Sequence, residues 1–324
     1  MSDATDPHVS LLALEEWTLT AEGQRFVSSL LESLSLLDPD EVYGFLDRLR
    51  TLEVERHERD QLEALRRDVA AAMRRAPLLM AAVDVTEAAE QTAWLLLKRN
   101  VDFIFLASFS RDTSALVDRI HLEGFDVLDA ARKDGPVIVA GFHVGPNEVG
   151  IGTLAVSGYP LTLVSSFPPD RPSPSYLPML GSATSGMDME VVSSADPRVL
   201  LQCVRALRRE RVLMIFPEFA FEGARRYYKV SFMGADVGVP TSIGDLAHRT
   251  GARIVVCHVR ATGHGRYGCF VGPVVELSPE GPQGKTQRLF RAAERLILDR
   301  NPGEWELWPF YSRMLDLGQD PATQ

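Results

Sequence analysis

An α/β architecture, with a central and mostly parallel sheet flanked by helices and a helical region ahead of it, is what this sequence predicts, on three observations. From about residue 135 onward, short runs of β-branched and apolar residues alternate with segments of helical periodicity. Strands separated by helices rather than by tight turns pair in parallel. The chain ahead of about residue 115 shows three- and four-residue apolar spacing with few strand signals. Finally, 324 residues with 45% hydrophobic and 24% charged content are enough for one large α/β domain with a helical appendage and a substantial core. The boundary falls near residue 115, giving an N-terminal helical region over 1–115 and an α/β domain over 116–324.

Within the first region, "QRFVSSLLESLSLL" carries apolar residues at helical spacing, and "DPDEVYGFLDRL" opens with an acidic turn and a proline, a helix-start pattern. The segment "RHERDQLEALRRDVAAAMRRA" reads as an amphipathic helix whose charges face solvent. Further on, strands are expected at "PVIVAGF", "LTLVSSF", "MEVVSS", "VLMIFPE", "RIVVCHVR" and "CFVGPVVEL", each a short run of strand formers. Helices are expected near 147–159, 196–210, 240–250 and 284–299. The five prolines of "FPPDRPSPSYLP", residues 167–178, demand an irregular loop after a strand. Loops at the carboxyl ends of parallel strands line the crevice where ligands bind. No fixed-period repeat or low-complexity tract is present, which argues against a solenoid.

The net charge of −10 gives a whole-molecule field that does not favour nucleic acid or an anionic membrane. Cys203, Cys257 and Cys269 stand without a CxxC pair, against a zinc site and a disulfide framework and in favour of core positions in a cytoplasmic protein. The acidic N-terminus lacks a basic n-region, so no signal peptide is expected. No apolar run reaches the roughly 18 residues that a span needs. The expectation is a cytoplasmic chain, free or peripheral to the membrane, without stable insertion.

The stretch "VIVAGFHVGPNEVG", residues 137–150, sets a histidine and a glutamate at the end of a strand. In one continuous helix, His143 and Glu148 would stand about 140° apart and not meet. Gly145 and Pro146 allow a turn instead, with a helix entered at the proline and Glu148 in its first turn. A carboxylate there can hydrogen-bond one imidazole nitrogen and free the other to take a proton, half of a triad with no serine or cysteine nucleophile adjacent. Such a dyad suits direct attack of a hydroxyl or amine on an activated acyl carbonyl. The competing reading makes Glu148 a capping acid in a first helical turn and His143 a structural strand-end residue.

"HVGPNE" has the H-x4-E spacing of the glycerolipid and lysophospholipid acyltransferase superfamily, and the chain resembles its bacterial lipid A biosynthesis branch, the lauroyl and myristoyl transferases. "RIHLEGFDVLDAARKDGPVIVAGFH" is similar to that family's lead-in helix and first core strand. "VLMIFPEFAFEGARRYYKVSFMGADVGVPTSIGDLAHRTGARIVVCHVR" is similar to its second half, and "NPGEWELWPFYSRM" to its C-terminal segment. The similarity covers roughly residues 95–315. It implies His143 as general base, Glu148 as its charge-relay partner and Gly145 as a matching motif position. Pro146 and Asn147 stand where asparagine and tryptophan are usual, which puts Asn147 toward the acceptor. Glu218 matches a position near the substrate; the alternative is a strand-end acid paired with Arg225 or Arg226. Arg225, Arg226 and Lys229 form a basic cluster for a phosphopantetheine, coenzyme A or phosphorylated acceptor, or else exposed loop charges. Trp305 and Trp308 are expected to pack the C-terminal helix on the core.

The resemblance implies an acyltransferase without a cofactor. Its donor would be a thioester on coenzyme A or an acyl carrier protein, and its acceptor a small molecule or a lipid. The acidic helical region in place of an apolar anchor points to a soluble acceptor in specialised, natural-product metabolism. An aminoacyl-tRNA donor would require "RALRRER", residues 205–211, and "GARRYYK" to join in one patch. A non-catalytic acyl- or metabolite-binding protein and a metal hydrolase using His143, His258 and His264 complete the alternatives.

Overall fold

A computed structural model describes residues 21–80, 83–109, 114–165, 187–218, 226–275 and 281–319. Among the described residues six helices come first: α1 (Ala21–Leu34), α2 (Pro39–His57), α3 (Arg59–Met73), α4 (Pro77–Met80), α5 (Val85–Ser108) and α6 (Ser114–Val117). The start of α2 is fixed by the Asp38 carboxylate, which accepts from the Asp40 amide, and by Pro39 in the first turn; Asp84 caps α5 in the same way, accepting from Thr86 and Glu87. Both are the acid-capped starts that leave fewer helix amides unpaired. Then follow β1 (Ile120–Glu123), α7 (Phe125–Lys133), β2 (Val137–Gly141), α8 (Asn147–Val156), β3 (Leu161–Ser165), β4 (Met189–Ser193), α9 (Val199–Arg208) and β5 (Val212–Ile215). The chain continues with β6 (Tyr227–Phe232), β7 (Ala235–Pro240), α10 (Ser242–Thr250), β8 (Arg253–Gly263), β9 (Arg266–Val275), α11 (Gly281–Arg300), a 3-10 turn (Pro302–Glu304) and α12 (Trp308–Gln319).

Seven strands form one sheet in the order β1-β9-β8-β2-β5-β3-β4, and β6 and β7 form a separate antiparallel hairpin. Every neighbour pair in the main sheet is parallel except β8 with β9. The strand β2 lies inside the sheet and is buried along its whole length. Alternation divides it between two cores: Ile138 and Ala140 join one cluster with Leu213, Ile254, Leu289, Phe290 and Trp308, while Val137 and Val139 join the other with Leu161, Met214, Leu154 and Phe105. This is the period-two division that a sheet covered on both faces requires. The N-terminal helices feed both cores, through Met73 and Leu79 on one side and Val42, Leu46 and Val101 on the other.

The mostly parallel sheet, its flanking helices and the helical region ahead of it follow the expectation, as do the strands of the six β-rich runs. Two features differ from it. The lead-in helix occupies only Phe125–Lys133, because Ile120–Glu123 pairs in parallel with Tyr267–Phe270 as an edge strand. The segment around "VSFMGADVGVP" is a hairpin whose two-residue turn holds Met233 and Gly234 at φ 56° and 81°, the paired positive angles of the tight turns that suit twisted strands. The proline-rich loop of 167–178 and Arg225 lie outside the described residues.

Candidate active site

The chain leaves β2 toward β3 on one side and returns from β5 past β2 to β8 on the other. In an open α/β sheet such a reversal opens a crevice at the carboxyl ends of the strands involved. Ala140 lies opposite Ile215 in the parallel register of β2 and β5. Three residues beyond each, the register brings His143 and Glu218 side by side. One Glu218 oxygen accepts the His143 backbone N–H at 2.6 Å and stands 3.2 Å from Nδ1 of the imidazole. The carboxylate is fully buried, whereas the imidazole keeps 21% of its surface exposed. With Nδ1–H donating to Glu218, the lone pair of the neutral imidazole lies on Nε2. Phe216 packs its ring 4.6 Å from the imidazole, the position that an aromatic residue two before Glu218 takes at the strand end.

Burial by itself would push the imidazole pKa down, but the Glu218 carboxylate beside it, with Glu306 and Glu148 further off, overrides that effect and leaves it raised. Glu148 stands in the first turn of α8 as expected, 4% exposed, with its carboxylate 3.5 Å from the Arg99 guanidinium on α5. The carboxylate at hydrogen-bond distance from the imidazole is therefore that of Glu218, and the acid of the H-x4-E spacing meets an arginine. The helix begins at Asn147, one residue later than the proline start expected from the sequence.

The loop between them is held from behind. His143 C=O accepts from the Glu306 amide at 2.8 Å, Gly145 N–H donates to Glu304 C=O at 2.9 Å, and Val144 bridges Trp305 antiparallel. Gly145 adopts φ +64°, and a Cβ there would lie 2.5 Å from the Val259 carbonyl oxygen, so both conformation and close approach require glycine. Trp305 and Trp308 are fully buried and meet edge to face at 4.7 Å, Trp308 donating to the Pro302 carbonyl. They anchor this C-terminal strap and α12 to the core.

The remaining residues expected on the substrate side are dispersed. Asn147 is 6% exposed and its side-chain nitrogen has no hydrogen-bond partner among the described residues. Arg226 is exposed at the start of β6, where its carbonyl accepts from Thr241. Lys229 pairs with Asp236 across the hairpin at 3.0 Å. Arg205, Arg208 and Arg209 line a groove of about 530 Å³ with Glu190 and Gln202, at the amino end of the strands. Arg226, by contrast, precedes the hairpin leading to α10, at the carboxyl end. The two basic runs thus stand at opposite ends of the sheet.

Of the histidines, His258 is buried and stacked on Phe270 at 4.9 Å, its pKa pushed down to about 4 by burial and by Arg300 and Arg260. His264 instead faces Tyr43. Among the described residues no group of three or more His, Cys, Asp or Glu side chains is placed to hold a metal ion. All three cysteines are free and buried.

Three members of the site escaped the sequence reading: Glu306, Arg99 and Asp102. Asp102, on α5, accepts hydrogen bonds from the hydroxyls of Tyr267 and Tyr43. Burial drives its pKa up to about 7, against the lowering effect of the Tyr267 hydrogen bond and with a further upward push from Glu148. Helical spacing gave a hint of these residues, since Arg99 and Asp102 share a face of α5.

A histidine held by a carboxylate at the carboxyl end of a mostly parallel sheet is an arrangement chemically able to take a proton from a bound group. Residues 100–308 match the family model of the bacterial lipid A biosynthesis acyltransferases, and the chain belongs to that family. It is accordingly an acyltransferase. No curated protein matches the chain. No helix among the described residues is long and apolar enough to cross a membrane.

Proposed function

We propose that the protein transfers an acyl group from a thioester, on coenzyme A or an acyl carrier protein, to a hydroxyl or amine of a small soluble acceptor, with His143 as the general base. The observation that carries this reading is the His143–Glu218 pair at the carboxyl ends of β2 and β5. His143 Nε2 takes the proton as the acceptor oxygen or nitrogen attacks the thioester carbonyl. The tetrahedral intermediate then collapses, the C–S bond breaks, and the departing thiolate receives that proton from the imidazolium. Glu218 fixes the tautomer and stabilises the imidazolium while it exists. Glu148 adds negative potential at longer range, and the amino end of α8 brings its positive dipole to the loop where the oxyanion develops.

Asn147 at the head of α8 offers an unpaired amide to the acceptor, and Gly145 lets the loop pass close to Val259. Arg226 and Lys229, with Arg225 next to them in sequence, would serve the donor's phosphates. A thioester donor is favoured over an aminoacyl-tRNA because "RALRRER" and Arg226 lie at opposite ends of the sheet and so do not form the single basic track that RNA requires. The net charge of −10 favours a soluble acceptor over an anionic bilayer and fits a cytoplasmic role in specialised metabolism.

The test is His143→Ala against a panel of acyl-coenzyme A and acyl-carrier-protein donors, following free thiol release and acylated product by mass spectrometry. Turnover should fall by about 10²–10⁴-fold with donor binding retained. Wild-type turnover in that variant would remove His143 from the chemistry, and donor binding without any turnover in the native protein would mark a binding module.

A further inference from the structure

We propose that Glu306 is a positioning residue for acyl transfer, a buried neutral carboxyl that, from the C-terminal strap, holds the His143 loop in place. The proposal rests on His143 acting as the base.

Four acids are buried around the loop: Asp102, Glu148, Glu218 and Glu306, each under a tenth exposed. The cations facing them are Arg99 and His143. Glu218 is engaged by His143 and Glu148 by Arg99. Asp102 receives two tyrosine hydroxyls. Glu306, 2% exposed, has neither a cation nor a hydroxyl at hydrogen-bond distance among the described residues; one of its buried carboxyl oxygens, like the second oxygen of Glu218, has no hydrogen-bond partner there. An ionised carboxylate so placed would stand desolvated and uncompensated, and the physical remedy is a proton.

The groups that face it come from each packed element: Glu148 on α8, Arg99 and Asp102 on α5, and His143 on the loop. Burial, with Glu148 as the next contributor, raises its pKa to about 8, against the opposing pull of Arg99 and His143. Meanwhile the Glu306 backbone N–H donates to the His143 carbonyl at 2.8 Å, so the residue that keeps the proton is also the one that fixes the base. A neutral Glu306 leaves the field at the imidazole to Glu218; an ionised one would add a second charge and strain the strap.

Glu306→Gln mimics the neutral acid, whereas Glu306→Leu removes the polar group. The Gln variant should turn over at least ten times faster than the Leu variant, and it should lose the change in rate that the native enzyme shows as pH rises through about 8. In infrared spectra at pH 7, a protonated-carboxyl band distinct from the one that Asp102→Asn removes should be present, absent from Glu306→Gln and retained in Glu218→Gln. In Glu148→Gln that band should persist but vanish at lower pH than in the native protein, because the neighbouring negative charge is gone. A Gln variant with the native pH profile and the native band overturns the proposal, as does a folded Gln variant inactive at every pH. If no glutamine variant folds, the native band alone decides: disappearance with the ordinary carboxyls near pH ~4–5 overturns it. Retained turnover in His143→Ala would instead overturn the base assignment and leave the infrared result standing.

Discussion

Glu218→Gln isolates the charge on the carboxylate that faces the base. The substitution keeps the side-chain volume and an oxygen for the His143 amide, but removes a negative charge 3.2 Å from Nδ1. At an effective dielectric constant of about 20, a unit charge pair at that distance is worth about 5 kcal/mol as an upper bound. The imidazole is 21% exposed, so solvent screens part of this; roughly 3–4 kcal/mol reaches the imidazolium formed during transfer. Each 1.36 kcal/mol is a factor of ten, so kcat should fall by about 10²–10³-fold. The alkaline shift that Glu218 imposes on His143 should also relax, moving the acidic limb of the pH–rate profile to lower pH. Glu148→Gln, which leaves Nδ1 with its partner, should cost less than about tenfold. The assay is free thiol release from the preferred thioester donor over pH 5 to 9, on variants checked for native melting. The reverse order, with Glu148→Gln the damaging change and Glu218→Gln nearly silent, would refute the argument and restore Glu148 as the imidazole's orienting acid.

Gly145→Ala should destabilise by about 1–3 kcal/mol, because the added Cβ meets the Val259 carbonyl at 2.5 Å in a positive-φ position; a thermal melt unchanged from the native protein would contradict the close approach. Asp102→Asn should flatten the dependence of stability on pH. The folded Asp102 has its pKa raised from 3.8 to about 7, so between those values the native state keeps a proton that the unfolded chain has lost, and stability falls as pH rises through that window. Urea unfolding at pH 4, 5.5 and 7.5 should show this decline, a few kcal/mol at most, reduced in the variant; an identical decline in both proteins would show that Asp102 titrates as an ordinary acid.

Much of the fold was legible because β2, β5 and β8 carry continuous apolar runs bounded by helical segments, a signal local to each element. The edge strand Ile120–Glu123 has one half-buried and three exposed residues, so it carries no apolar alternation to read. The β6–β7 hairpin turns on Met-Gly rather than on the asparagine- or aspartate-glycine pairs that mark such turns. His143 was legible for the same local reason as its strand. Glu218 was named from the Phe-Pro-Glu resemblance, but its pairing with the imidazole was not legible, since the two meet only through the register of two strands, 75 residues apart in sequence. A rule of equal offsets beyond paired parallel strands would have found it. Glu306 lay between two tryptophans that read as core, and its proximity to the loop depends on a contact across the whole α/β region.

That contact has a consequence for how the enzyme comes into being. The backbone of the His143 loop is completed by amide and carbonyl groups of residues 304–306, so the crevice cannot take its final shape until the chain has been made past residue 306. A nascent chain can close β2 on β5 early, yet its histidine loop stays unlatched until this last long-range pairing is made.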